Sequence, residues 1–480
     1  MSDSTVIDPR DDERAGLRFP LAAWPAVLAG LLWLSHAFGS GVLGFVLAAL
    51  PGALLLGTGV PVLLVPGDLR LHHYMALGGL VGTLFGVGAM LAVGFGPGLL
   101  LVALSALSLA SAGRLSAQMT PQVEEVPAGP PSWRRSAEVA GDDAILAFMD
   151  ATLVVPSPDE RVSIAREAEV ARHLFADRGY LEKPESYHIA PPPLDEVTRR
   201  PRRIRGLDYE HLRYESGYEP AQDEPGRDRW LSYTPNRTAH AWLLEHENPS
   251  RPWLVCIHGY QMGAPLVDLE AFRAAELHHG LGLNLILPTL PLHGARKIGR
   301  LSGDGYLAGN PMDSVHAISQ ALFELRRLLG WIRARGGETI GVYGLSLGGY
   351  HTAALAGLEG DLACAIPGIP ATDFARLVWR HAPPALIDSV EAQGLSQQKM
   401  REVMTVASPL DLTPKVPKER RYLFGGTHDQ LVPADQLRDL WEHWDRPRIA
   451  WYPGAHLSFP FHASVRNLLR DAFQESGLTS

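Results

Sequence analysis

Cysteine is nearly absent: the 480-residue chain has two, Cys256 and Cys364, each inside an apolar run. That number excludes a disulfide framework, and neither stands at zinc spacing, so both read as inert core thiols and no metal or other cofactor is implied. His72-His73, His278-His279 and Glu245-His246-Glu247 likewise lack the spacing that gathers ligands around one ion. A surplus of positive charge is missing too. With a net charge of −9, the chain has no overall basic face for phosphate, which excludes nucleic acid as the main partner. The most telling lack is local: between Pro20 and Gly113 the only charged residues are Asp68 and Arg70. One part of the chain suits lipid and another suits water.

About twenty apolar residues cross the roughly 30 Å of bilayer hydrocarbon as a helix, so residues 20–113 supply four short transmembrane helices or two long ones. The four-span division is 20–34, 42–65, 74–93 and 97–112, broken at Ser35–Gly41, at the polar Pro66–His73 stretch and at the Gly94–Gly98 turn. The polar N-terminal tail, 1–19, is net acidic, and the apolar stretch is several times longer than a signal-peptide core. The segment is therefore expected to be retained. Either even count leaves both ends on one side. Arg10, Arg14 and Arg18 precede the segment and Arg114, Arg134 and Arg135 follow it, against Arg70 between, so the positive-inside bias places the C-terminal part in the cytoplasm, at a cell inner membrane. No charge inside the spans marks a transport path, so the segment reads as an anchor and the lipid bilayer as a partner.

Residues 114–203 form a linker and helical extension. Ser116–Ser132 is polar and proline-rich, helical spacing follows over Asp142–Leu153 and Glu160–Arg178, and Pro191, Pro192 and Pro193 end the region. From residue 204 onward short strand-like runs alternate with helix-like ones, the signature of a mostly parallel sheet covered by helices. The strands are expected at Tyr209–Glu215, Ala239–Glu245, Trp253–Ile257, Leu283–Leu287, Thr339–Tyr343, Ala363–Ile366, Arg421–Phe424 and Arg448–Tyr452. Helices are expected at Leu266–His279, Met312–Arg335, Ser346–Leu358, Pro433–Trp444 and Ala463–Gln474, with a helical cap inserted at about 371–417.

The run from Thr339 to Tyr350 is an apolar strand, then Gly344-Leu345-Ser346-Leu347-Gly348, then a small-residue helix. A serine on so tight a strand-to-helix turn has strained backbone geometry, and glycine two residues to either side lets strand and helix approach closely enough to make it. The turn exposes the hydroxyl and aims a helix N-terminus at developing negative charge.

In this context residues 204–480 resemble the α/β-hydrolase superfamily, over the fold's whole order of elements. The resemblance implies a serine hydrolase with nucleophile, acid and base in the order Ser, Asp, His. Phe424-Gly-Gly-Thr-His-Asp-Gln-Leu-Val-Pro433 is similar to the family's acid turn and makes Asp429 the carboxylate, with Asp373 the alternative. Tyr452-Pro-Gly-Ala-His-Leu-Ser458 supplies His456 after the last strand. Ser346 would then lose its proton to His456, whose tautomer and charge Asp429 would hold. The oxyanion would be met by the N–H of Leu347 and by that of Tyr260, or of Gln261, in the loop after Trp253–Ile257, where the family often has His-Gly. His258, in that pair, braces the loop or touches substrate.

Pro288–Arg296 contains a second His-Gly pair at a position that often shapes the family's pocket rim, where Arg296 or Arg300 would meet an anionic substrate group or stay solvated. Leu377, Val378, Trp379 and Met404 of the cap line an acyl pocket or bury one another. Arg199, Arg200, Arg202, Arg203 and Arg205 form a basic cluster that is solvated or docks on anionic headgroups. Asn236-Arg237-Thr238 fits a glycosylation sequon that a cytoplasmic placement would leave unused. The expected activity is hydrolysis of a carboxylic ester through an acyl-serine, on a small-molecule or lipid acyl substrate, with oligomeric state open. An acyltransferase or thioesterase would use the same residues, and a non-catalytic scaffold on this fold is the other class of reading.

Overall fold

The computed structural model describes residues 21–38, 41–65, 67–248, 250–307 and 309–479, so the polar tail expected at 1–19 lies outside them. These residues divide into two units. The first runs to Thr152 and also takes in Gly426–Leu431 and Pro453–Phe459; the second holds the rest.

In the first unit the apolar stretch folds as four helices: α1 (Trp24–Ala37, led by a 3-10 turn at Leu21–Ala23), α2 (Gly41–Leu64), α3 (Leu69–Ala92) and α4 (Phe95–Met119). The last three, of 24, 24 and 25 residues, are long and apolar enough to cross a membrane, and Leu21–Ala37 is shorter. The polar break expected to run to His73 ends earlier. Asp68 caps α3 by accepting from the Arg70 N–H at 3.0 Å, which starts the helix there and draws His72 and His73 into its first turns. Helix α4 likewise runs past the expected end at 112 and takes in Arg114.

Between apolar helices in lipid there is little hydrophobic drive, so close backbone approach matters more. Gly79, Gly82 and Gly86 supply it on α3: a methyl group on them would press on Leu109, Ser105 and Val102 of α4 respectively. Ser105 also accepts a 3.1 Å bond from the indole N–H of Trp33. Leu84, Val87 and Leu91 point outward and are exposed. A fifth helix, α5 (Trp133–Thr152), starts well before the expected Asp142, because the Ser132 hydroxyl accepts from the Arg135 N–H at 3.1 Å and caps it there. Asp142 is thereby mid-helix.

The second unit opens with α6 (Pro158–Asp177), capped by reciprocal bonds between Ser157 and Glu160. Its strands are β1 (Thr198–Ile204), β2 (Leu207–Glu215), β3 (Thr238–Leu244), β4 (Trp253–Ile257), β5 (Asn284–Thr289), β6 (Ile340–Leu345), β7 (Cys364–Gly368), β8 (Tyr422–Gly426) and β9 (Arg448–Tyr452). They form one sheet in the order β1-β2-β3-β5-β4-β6-β7-β8-β9. The first three strands and β5 pair antiparallel, and β5, β4, β6, β7 and β8 pair parallel. Helices α7 (Arg227–Ser232), α8 (Pro265–Ala271), α9 (Pro311–Ala334) and α10 (Leu347–Leu358) lie between these strands. The insertion after β7 holds α11 (Phe374–His381), α12 (Pro384–Ala392) and α13 (Gln397–Met404); α14 (Ala434–His443) precedes β9 and α15 (Ala463–Glu475) follows it.

This is the α/β-hydrolase fold. Every residue of β4 and β6 is buried, which suits the continuous apolar runs that sheets covered on both faces require. The chain leaves β4 for β5 on one side and returns to β6 on the other. Such a switch point is where open α/β sheets place their sites.

The first edge of the sheet differs from expectation. The sheet starts at Thr198 rather than 204, because the arginine cluster forms edge strand β1, registered against β2 from Thr198↔Arg213 to Ile204↔Leu207. Arg199 is paired there with Glu210 and, at 2.7 Å, with Glu245, and Arg203 with Asp208 at 3.4 Å; charge along an edge strand also discourages pairing with another chain. In the cap, Leu377 and Met404 are buried along with Met400 and Val403.

Candidate active site

Ser346 occupies the junction of β6 and α10 with φ 55° and ψ −112°, a conformation that L-residues adopt only under constraint and at a cost of about 1–3 kcal/mol. The constraint is visible at its neighbours. A methyl group on Gly344 would overlap the Gly348 carbonyl, and one on Gly348 would overlap that of Ile257 in β4. Only glycine lets the strand, the turn and the helix come this close. The Ser346 N–H is bonded at 2.9 Å to the Gly368 carbonyl at the end of β7, so the turn is tied to the sheet on that side as well. Ser346 is partly exposed although Leu345 and Leu347 are buried. Leu347 begins α10, so its N–H is one of the first-turn amides without an intrahelical acceptor.

The loop after β4 lies against this turn. A methyl group on Gly259 would stand 3.5 Å from Ser346 Cβ and 3.3 Å from the Leu345 carbonyl oxygen. His258 sets the loop's path: Nε2 accepts from the Leu290 N–H at 3.0 Å, leaving Nδ1 to donate to the Gly259 carbonyl at 2.8 Å. Burial lowers its pKa, which suits this neutral, bracing tautomer. The substrate-contact role for His258 is thus corrected to a structural one, because both ring nitrogens are already engaged. The Gly259 N–H is engaged by Met262 Sδ at 3.2 Å, and Tyr260 presents the next amide.

Arg296 requires a stronger correction. It is fully buried, its guanidinium held by Glu324 through two bonds of 2.7 Å and by the carbonyls of Thr289 and Asn236 at 2.9 Å each. A charge inside the protein needs such partners, and they leave this one unable to meet a substrate. His293, expected at the rim, is buried too, with Nδ1 donating to the Pro291 carbonyl at 2.8 Å.

Asp429, in the loop after β8, and His456, at the start of a 3-10 turn after β9, come together in the first unit. His456 Nδ1 donates to Asp429 Oδ2 at 2.6 Å, and both side chains are buried. A short charge-assisted bond of this kind fixes the ring's tautomer and leaves Nε2 as the nitrogen that can accept a proton. Burial pulls the His456 pKa down, but the charge and hydrogen bond of Asp429, joined by the charge of Asp142, raise it above the ordinary imidazole value overall. Asp373 is a helix cap instead, accepting from the Arg376 N–H at 3.0 Å, and so Asp429 is the carboxylate that His456 meets. Ser346, Leu347 and Tyr260 belong to the second unit.

Asp142 was not legible as a site residue. The sequence offers it as an acid at a helix start, an ordinary surface position, yet it is 1 % exposed and one of its oxygens accepts from two main-chain amides, Gln430 at 3.1 Å and His456 at 2.8 Å. Burial first, and the nearby Asp429 second, push its pKa up to about 7 against the opposing pull of His456 and the two amides.

No family model matches the chain. It is 39% identical over 359 residues, 74% of its own length and 86% of theirs, to two uncharacterized proteins of Mycobacterium tuberculosis, MT2702 of strain CDC 1551 / Oshkosh and Rv2627c of strain ATCC 25618 / H37Rv. Among solved structures, an acetyl xylan esterase from Paenibacillus sp. R4 is 18% identical with a TM-score of 0.45, covering 63% of this chain and 93% of that one. Acetyl xylan esterase 1 from Thermoanaerobacterium sp. JW/SL YS485 is 15% identical with a TM-score of 0.45 and the same 63% and 93% coverage.

Proposed function

We propose that this chain, which belongs to the same family as the two uncharacterized mycobacterial proteins, is a membrane-anchored serine hydrolase of carboxylic esters. The observation that carries this reading is the buried 2.6 Å pair of His456 and Asp429, since it leaves a general base with a fixed tautomer and a raised pKa in a chain whose strained turn between β6 and α10 presents a serine.

In the reaction Ser346 Oγ attacks the ester carbonyl while His456 Nε2 takes the hydroxyl proton and Asp429 stabilises the imidazolium. The oxyanion receives the N–H groups of Leu347 and Tyr260, which need no rearrangement as charge develops. Collapse releases the alcohol with the proton from His456, and a water, deprotonated by the same imidazole, attacks the acyl-serine to release the acid. A lipid or other amphipathic ester reaching the site from the bilayer is the substrate class supported by the apolar helices.

The same reading places the hydrolase domain on the cytoplasmic side of the inner membrane. That requires Leu21–Ala37 to cross with the three longer helices; its 17 residues lie at the lower edge of the usual range for a span.

A fluorophosphonate probe tests the reaction. Membrane-extracted full-length protein is expected to label, and Ser346→Ala and His456→Ala to lose labelling. A wild type that does not label, or a Ser346→Ala protein that labels equally, would overturn it.

A further inference from the structure

We propose that Asp142 is a positioning residue for this reaction: its carboxylate, from a helix outside the sheet-and-helix order of the hydrolase, clamps the acid loop and the histidine loop in register. The inference rests on the hydrolase reading for its catalytic consequence and on geometry alone for the clamp.

The two loops leave different strands, β8 and β9, and meet at the side-chain pair of Asp429 and His456 and at the 3.0 Å bond from the His428 N–H to the Gly454 carbonyl. Asp142 Oδ2 adds a junction between them, because its two donors are the residue after Asp429 and His456 itself. Each amide is next to, or part of, a residue whose side chain must be placed to a fraction of an ångström for proton transfer. The acid loop is further tied to the end of α4, where the Gln430 side-chain amide donates to Thr120 Oγ1 at 2.9 Å. A methyl group on Gly129 of the linker would press on Pro453 of the histidine loop, so the linker backbone lies directly against it. Gly129 is itself held by Arg135 of α5 through its carbonyl.

Nothing about folding α5 calls for a carboxylate at 142. Burying one without partners is strongly unfavourable, and an apolar residue would fill the helix position. Two amide donors from elsewhere in the chain account for its presence. The other oxygen, Oδ1, has no hydrogen-bond partner among the described residues, and burial together with the charge of Asp429 raises the carboxyl's pKa. The charged groups facing it are Asp429 and His456, with Asp143 beside it on α5; Asp143 in turn lies 3.5 Å from His73 of α3. When ionised, Asp142 therefore adds to the field of Asp429 on the imidazole, and its removal should lower the pKa of His456.

The test compares wild type, Asp142→Asn and Asp142→Ala as full-length chains in nanodiscs, by amide hydrogen exchange and by hydrolysis of p-nitrophenyl esters. Asparagine keeps an oxygen for both amides and removes the charge; alanine removes both. In Asp142→Ala, residues 426–431 and 453–459 should lose protection while α9 keeps it, and kcat should fall about 10²-fold with KM within about threefold, the scale of a misplaced catalytic group. Asp142→Asn should retain loop protection, recover most of kcat and move the acid limb of the pH profile downward. Unchanged exchange in Asp142→Ala, equal loss in both variants, or an Asp142→Ala kcat within about threefold of wild type would overturn the proposal. Loop deprotection confined to Asp142→Ala in a wild type that neither labels nor hydrolyses supports the clamp and sinks the hydrolase reading instead.

Discussion

His456 connects the local chemistry to a measurable pH dependence. A general base must be unprotonated to act, so with its pKa raised overall by Asp429 and Asp142 against the pull of burial, kcat/KM should fall with acid along a limb centred above the roughly 6.5 of a free imidazole. Asp429→Asn removes the largest upward pull and offers the wrong partner to Nδ1. Its acid limb should move to lower pH and kcat should drop about 10³–10⁴-fold. Stopped-flow ester hydrolysis across pH 5–9 checks both, and a limb that stays in place would disconnect Asp429 from the base. At the nucleophile, Gly344 and Gly348 explain why so much was legible from five residues. The demand for glycine comes from backbone overlap a few residues away, so it is written beside the serine it serves.

Elements were legible where periodicity and local caps decide them, and less so where a buried contact does. Strands β4 and β9 match their expected bounds, as do the end of α10 at Leu358 and the start of α15 at Ala463, because their apolar runs are bounded by turn residues. Strand β1 was not seen, since a run with arginine at 199, 200, 202 and 203 and a proline at 201 has no apolar face; its pairing with β2 makes it a strand. The close approach of α3 and α4 depends on Gly79, Gly82 and Gly86, a spacing visible in the sequence but not in hydropathy. Arg296 belongs to this scale as well, since its partner Glu324 comes from α9 and its other acceptors from Thr289 in β5 and from Asn236. Glu324→Gln leaves a buried guanidinium without a counter-charge and should lower stability by about 3–5 kcal/mol, read as a fall in Tm, with KM for a neutral ester unchanged. A change in KM without loss of Tm would return Arg296 to substrate binding.

For the whole molecule the decisive quantity under the proposed membrane anchoring is how many of the four apolar helices cross. Cys256 and Cys364 are fully buried, and burial raises both thiol pKa values, that of Cys364 to about 12. Both should stay silent toward impermeant maleimides, so single cysteines can be introduced on the native background. Cysteines placed at exposed sites such as Glu196 and Asp228 are expected to react only after the inner membrane is made permeable from the outside. Labelling of intact spheroplasts at those sites would reverse the topology.

The sequence by itself determined the apolar segment, the alternation that builds the sheet, and the identities of Ser346, Asp429 and His456 as candidates. Each is written in hydropathy, periodicity or backbone demands over a few neighbouring residues. Only the tertiary structure decided that Arg296 is an interior ion, that His258 braces a loop, that Asp429 rather than Asp373 meets His456, and that Asp142 bonds to the loops on either side of that pair. These are contacts between residues far apart in the chain. Burial and hydrogen-bond partners, not residue type or spacing, define what such groups do.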